Sequence, residues 1–281
     1  MKTRTILDGL RFPEGPRWHD GRLWFSDMHD GRVLALDPQG RAETIFALEG
    51  DEPSGLGWLP DGRLLVVSMQ RRQVLRREAD GRLALHADLS ALAHFHANDM
   101  VVDRAGRAYV GNFGFDLNGG AAQRATNLAL VHPDGRADVA SDDMMFPNGT
   151  VITPDGGTLI VGESFRAQLT AFDVGADGRL SNRRVWATLE RAVPDGICLD
   201  AEGAIWVASP VSKGVLRVRE GGEVADRIEV EHQAYACMLG GADRRTLYVC
   251  TAATHDPAKT GTPRSGRIEA VEVAVPGAGL P

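Results

Sequence analysis

The chain has 281 residues, 43% of them hydrophobic, enough to bury a sizeable core as one large all-β or α/β domain or as two small ones. Its 31 basic and 38 acidic residues give a net charge of −7 with no block of like charge, which argues against a nucleic-acid partner and for a small molecule. Cys198, Cys237 and Cys250 are odd in number, far apart and without a CxxC pair, so neither a disulfide framework nor a zinc ribbon is expected.

The opening MKTRTILDGL lacks an apolar run long enough for a signal peptide, and no stretch of 18 apolar residues occurs further on. A soluble cytoplasmic protein with no membrane partner is therefore expected. Residues 2–8, KTRTILD, read as a strand without a local partner. From residue 14 the chain repeats itself. The segments EGPRWHDGRLWFSD (14), SGLGWLPDGRLLVVS (54), NDMVVDRAGRAYVGN (98), NGTVITPDGGTLIVGE (148), DGICLDAEGAIWVAS (195) and CMLGGADRRTLYVCT (237) share one plan. Their starts are 40, 44, 50, 47 and 42 residues apart, the spacing of four-stranded propeller blades. Each copy reads as a short apolar strand, an Asp-Gly-like turn that tolerates positive φ, and a second apolar strand, which together make a hairpin. A third strand follows (RVLALD, QVLRRE, LALVHP, LTAFDV, GVLRVR, RIEAVEV) and then, in the first five copies, a fourth. The sixth copy runs out after its third strand. Pairing of that strand with residues 2–8 would close the ring and remove the exposed sheet edges. No convincing helical period appears, and DLSALAHF (88–95) holds at most a turn or two. The expected fold is thus an all-β, six-bladed β-propeller spanning residues 1–281 as a single domain, its last blade completed by the N-terminal strand.

In a propeller the first strand of each blade lines the channel, so equivalent positions form a ring. The frames RFPEGP, FPNGTV and VPDGIC put Glu14, Asn148 and Asp195 in one slot, and the full ring reads Glu14, Ser54, Asn98, Asn148, Asp195, Cys237. Asx residues before Gly also serve turns by accepting from nearby amides. Glu14 does not fit that explanation, and two acids in one narrow channel repel each other unless something positive lies between them. Converging hard oxygens suit a divalent cation, with Glu14, Asn148 and Asp195 as ligands and Asn98 as a further donor, directly or through water. The ends of the second strands form another polar ring, Asp27, Ser68, Asn112, Glu163, Ser209 and Thr251, expected at larger radius on the same mouth. There Asn112 and Glu163 would orient a substrate or hold the ligands by hydrogen bonds.

The PEGPxW start, ND at 98 and 99 followed by VDRAGRAYVGN, PNG followed by TPDGGTLIVGES, and PDGICLDAEGAIWVA resemble the gluconolactonase family, which includes senescence marker protein (regucalcin) and bacterial sugar lactonases. The likeness covers nearly the whole chain. It implies a six-bladed propeller with one divalent metal at the channel mouth and lactone hydrolysis as the activity. The family's metal-binding Glu, Asn and Asp fall on Glu14, Asn148 and Asp195, its substrate-side Asn on Asn98, and its substrate-binding acid at about Asp116. One departure stands out: where the sugar lactonases tend to have Arg two residues before the substrate-side Asn, this chain has His96. His94, His96 and Asn98 share one side of an extended segment, so an imidazole contact with substrate is expected at His96. Phe113, Phe115 and Met144 to Phe146 would add apolar walls. Both a sugar lactone and a smaller aliphatic lactone stay open.

The expected chemistry is attack of water on a metal-polarised carbonyl, with Asp195 as general acid/base. Oxygen ligation points first to Ca2+, with Mg2+, Mn2+ or Zn2+ as alternatives. The chain has no GxSxG elbow, HExxH, GxxxxGK[ST] or GxGxxG after a strand, so serine hydrolase, zincin and nucleotide readings lose their motifs. A phosphotriesterase-type hydrolase and a non-catalytic metal-binding propeller are the alternatives. No sequence signal speaks to oligomeric state.

Overall fold

A computed structural model of the chain describes residues 2–281. Six four-stranded antiparallel sheets follow one another as propeller blades. Their inner strands are Pro13–His19, Pro53–Trp58, Ala97–Val102, Pro147–Ile152, Ile197–Leu199 and Gln233–Gly240. These touch in cyclic order, the last against the first. The ring closes as the repeat predicts: Arg4–Leu10 pairs antiparallel with Gly266–Glu272, with Arg4 opposite Ala270, and becomes the outer strand of the sixth blade.

The burial pattern explains why these runs are strands. Second strands such as Leu64–Ser68 and Ile205–Ser209 are buried at every residue, because each sheet has a neighbouring sheet on both faces. The apolar core therefore lies between blades. Between blades 3 and 4, Tyr109, Leu128 and Val101 meet Ile152, Leu159 and Phe172. Across the closure seam, Leu23, Phe25 and Leu34 meet Met238, Leu247, Val249 and Ile268, and Trp18 stacks on Tyr248 at 5.8 Å. Each fully buried Leu or Phe contributes roughly 1.5–3 kcal/mol, so the seam is held by packing as well as by the last blade's hydrogen bonds. The outer strands, by contrast, are largely exposed, as in Ala42–Ala47 and Val224–Glu229.

Helix is confined, among the described residues, to two 3-10 turns, Met28–Asp30 and Ser164–Arg166. Residues 88–95 hold no helix and make hydrogen-bonded turns, Ala93 N–H donating to the Leu89 carbonyl at 2.7 Å. No helix of the described residues is long and apolar enough to cross a membrane. The inner strands all begin at one mouth. At the other end the C-terminal tail crosses blades 4 and 5, Leu280 bridging Ile152 and Gly277 bridging Asp200.

Candidate active site

One backbone device, repeated around the ring, builds the site. In blade 1 the register runs Pro13 opposite Asp27 and Glu14 opposite Ser26, then Arg17 opposite Trp24, so the inner strand carries one extra residue. The same single-residue bulge recurs between Pro53 and Leu56, Ala97 and Met100, Pro147 and Thr150, and Ala234 and Ala236. A bulge re-aims the side chain beside it, here toward the axis. The glycine after the slot residue serves a second need, the close approach of the next inner strand. A Cβ on Gly149 would lie 2.5 Å from the Ile197 nitrogen, and one on Gly196 would lie 2.5 Å from the Ala236 Cβ. No side chain fits there. The Pro-x-Gly frame thus turns x into the channel and lets neighbouring strands close on it.

The register also corrects the sixth slot. Ala234 pairs with Thr251, as Pro13 does with Asp27 and Pro147 with Glu163, so the slot residue of blade 6 is Tyr235 and not Cys237. Cys237 packs between blades, its Sγ 3.8 Å from that of Cys198. The sequence hid this because QAYACM has neither the Pro nor the Gly of the frame.

Glu14, Asn98, Asn148, Asp195 and Tyr235 line one cavity of about 360 Å3 at the mouth. The Asn148 Nδ2 donates to Asp195 Oδ1 at 2.7 Å and to the Ser164 hydroxyl at 3.2 Å. Ser164 in turn donates to the Pro194 carbonyl at 2.7 Å, which ties blade 4 to the loop carrying Asp195. The Asn148 side-chain oxygen is thereby left for a ligand. Glu14 accepts from the Gly15 amide at 2.8 Å. Ser54 donates to Asn98 Oδ1 at 3.4 Å, leaving the Asn98 amide nitrogen as a donor to the cavity. Below this level Arg17 spans three blades, bonding Leu56 O at 3.0 Å and both Asp99 Oδ1 and Met100 O at 2.5 Å, so that Asp99 is its ion-pair partner.

Glu14 and Asp195 therefore share the axial end of a cavity that a third carboxyl, the half-buried Glu52, also lines. Burial, reinforced by Asp99, pushes Glu14 up to about 8 against the pull of the Gly15 amide. Asp195 faces the cavity, yet the surrounding protein strips most solvent from it, and that desolvation with the Glu14 charge raises it well above the usual carboxylate range. None of the described lining residues is Lys or Arg. Among the described residues no group of three or more His, Cys, Asp or Glu side chains is arranged to hold a metal. The donor set is instead two carboxylates completed by carboxamide oxygens. That chemistry fits a hard divalent cation, whose charge would reverse the repulsion that raises both acids.

The remaining expected substrate residues divide. His96 lines the cavity, stacked on Phe95 at 4.1 Å, and burial holds it below the ordinary imidazole value. His94 is turned instead to the Thr126 hydroxyl at 3.0 Å. Asp116 caps its own turn, accepting from the Gly119 amide at 2.7 Å, while Leu117 and Asn118 beside it reach the cavity. Asn112 and Glu163 do not line it. Asn112 is occupied by the Gly114 amide, the Asn127 carbonyl and Thr126. Glu163, fully buried, accepts from the Met145 amide at 2.8 Å, from Thr170 at 2.6 Å and from Arg166 and Arg183. Two other members of the second ring work as Glu163 does. Asp27 accepts from the Arg11 and Phe12 amides, and Ser209 from the Val193 amide, each time fixing the loop that leads into a slot. Of the expected apolar walls, Phe113 and Phe146 reach the cavity, and Phe165 joins them. Sequence reading missed Phe165 because only the 3-10 turn at Ser164–Arg166 swings it over the mouth.

A closed propeller whose one mouth gathers carboxylate and carboxamide oxygens from several blades defines an axial-site propeller. The chain belongs to the SMP-30/Gluconolactonase/LRE-like family, whose model matches residues 12–253. It is similar to the 6-deoxy-6-sulfogluconolactonase of Pseudomonas putida, 29% identical over 95% of this chain and 93% of that protein. It is likewise similar to the regucalcin of Gallus gallus, 30% identical over 87% and 84% of the two chains. Its backbone matches the crystal structure of a calcium-binding protein, regucalcin, from Agrobacterium tumefaciens, with a TM-score of 0.84 and 26% identity over 99% and 96% of the two chains.

Proposed function

We propose that this chain hydrolyses lactones with the aid of one divalent cation held by Glu14, Asn148 and Asp195. The observation that carries the reading is the pair of carboxyls, Glu14 buried and Asp195 half-buried, on one cavity without a lining Lys or Arg among the described residues. The choice of a lactone is supported by the family and by relatives named sulfogluconolactonase and pentonolactonase. Ca2+ is the first candidate ion, since the similar Agrobacterium protein is described as calcium-binding. Mg2+, Mn2+ and Zn2+ are the alternatives.

When bound, the cation supplies polarisation of the lactone carbonyl and stabilises the charge that builds on its oxygen. Asp195 takes a proton from the attacking water and gives it to the ring oxygen as the C–O bond breaks, so one water is added and an open hydroxy acid leaves. The 2.7 Å bond from Asn148 fixes the carboxylate that does this. Asn98 donates its amide to the substrate's oxygens, and Glu14 serves as a ligand.

Chelator-stripped protein, titrated with single cations, should regain hydrolysis of a lactone panel in the wild type and not in Asp195→Asn. Cation-independent turnover, or full activity in both Asp195→Asn and Glu14→Gln, sinks the reading. A paraoxon arm, expected to stay inactive, separates a phosphotriesterase.

A further inference from the structure

Resting on the lactone reading, we infer that the substrate of this site is a lactone whose ring carries or is fused to an apolar group, and not a polyhydroxylated sugar lactone. The cavity is divided by chemistry. Its floor holds the oxygens of Glu14, Asn98, Asn148 and Asp195. Above that floor stand two aromatic walls. On one side Phe113 stacks on Phe146 at 4.4 Å, and Phe146 meets Phe165 at 5.3 Å. On the other, Phe12 meets Tyr235 edge to face at 4.6 Å and stacks on His29 at the same distance.

The polar atoms on these walls are mostly spent. The Ser164 hydroxyl is held by Pro194 and Asn148, His29 by Thr260 at 3.0 Å, and the Tyr235 hydroxyl by Gln233. Beyond the floor, Gln70, Asn118 and His255 are exposed at the rim, where water already satisfies them, and the half-buried Glu52 and His96 are the polar side chains left facing the cavity, too few to pair a hydroxyl on nearly every ring carbon. A sugar lactone carries a hydroxyl on nearly every ring carbon. Placed with its carbonyl on the floor, it would turn those hydroxyls toward phenyl faces, and each one left unpaired costs about tenfold in affinity or more. An aryl or alkyl body gains from the same walls, because burying apolar surface between aromatic rings is favourable.

Phe146 adds a separate indication. It is held at φ +58, a backbone region costly for an aromatic L-residue, while Gly or Asn would sit there at little cost. The ring is kept at the cavity wall in spite of that backbone cost.

The test uses the full chain supplied with cation. Dihydrocoumarin and δ-nonalactone should be hydrolysed with kcat/KM about tenfold or more above D-glucono-1,5-lactone. Binding is read separately by calorimetry with unreactive lactams, 3,4-dihydroquinolin-2-one expected to bind about tenfold or more tighter than D-gluconolactam. Phe165, 37% exposed at the rim, can be changed without emptying the core. Phe165→Ser should narrow the apolar-to-sugar ratio in both assays, and Phe165→Leu should keep it. Preference for the sugar lactone and lactam, or equal loss on both classes in Phe165→Ser, overturns the inference. Tight dihydroquinolinone binding with no lactone turned over instead overturns the hydrolase reading and leaves the apolar assignment standing. Turnover of gluconolactone alone does the reverse.

Discussion

Two rings of polar side chains surround this propeller's mouth, and each contains two acids. In the outer ring, Asp27 and Glu163 are fully buried and the protein itself neutralises them. Arg32 lies 3.0 Å from Asp27, Arg166 and Arg183 lie 2.8 and 3.0 Å from Glu163, and backbone amides complete both sets. In the inner ring, Glu14 accepts from one amide and Asp195 from one carboxamide, no Lys or Arg lines the cavity among the described residues, and desolvation raises both in spite of Arg17 below Glu14. The residue types are the same and the consequences opposite. A carboxylate whose partners belong to the fold holds a loop in place. A carboxylate whose partners are missing is available to something that arrives from outside.

Exchange of acid for amide should separate the rings most sharply in activity. Asp195→Asn is expected to lower kcat/KM for the preferred lactone by about a hundredfold or more, read by a pH-stat assay at saturating cation. In the outer ring the same exchange acts on folding. Glu163→Gln leaves Arg166 and Arg183 without this counter-charge and weakens the bond that sets the Met145 loop, at a cost of about 1–3 kcal/mol in urea unfolding. Asp195→Asn in cation-free protein should move stability the other way, upward, because it removes one of two repelling acids. A loss of stability there comparable to that in Glu163→Gln would erase the distinction.

The pH dependence sharpens the same contrast. Glu14, with a folded value of about 8 against an ordinary 4.5, favours the folded state below pH 4.5, and that contribution drains away as pH rises toward 8. Cation-free protein should therefore lose about 1 kcal/mol or more across that window, and Ca2+ should restore it most at the upper end. Thermal unfolding at a series of pH values, with and without Ca2+, checks this; a flat profile counts against an unpartnered Glu14. The mildest expected change is Tyr235→Phe. It removes one bond, to Gln233, and should cost about 0.5–1.5 kcal/mol in unfolding while leaving the ring in the wall.

Much of this was written locally. Turn dipeptides, two-residue alternation and the Pro-x-Gly frame are properties of neighbouring residues, so the blades, the ring closure by residues 2–8 and the slots of Glu14, Asn148 and Asp195 are legible in the sequence itself. Where the frame lapses, in QAYACM, the legibility lapses too, and the repeat points to Cys237 although the slot belongs to Tyr235. What tertiary structure alone decided was partnership. The Pro-x-Gly frame separates the slot of Glu14 from the strand end of Glu163, but nothing near either acid in sequence says which one the fold itself will neutralise. Arg183, 20 residues away, makes one a strut, and Asp195, on the loop that leads into the inner strand two blades back around the ring, makes the other half of a candidate site. Periodicity is a short-range property of the chain, whereas charge compensation and the meeting of Phe113, Phe146 and Phe165 depend on which distant segments the closed ring brings within a few ångströms of one another.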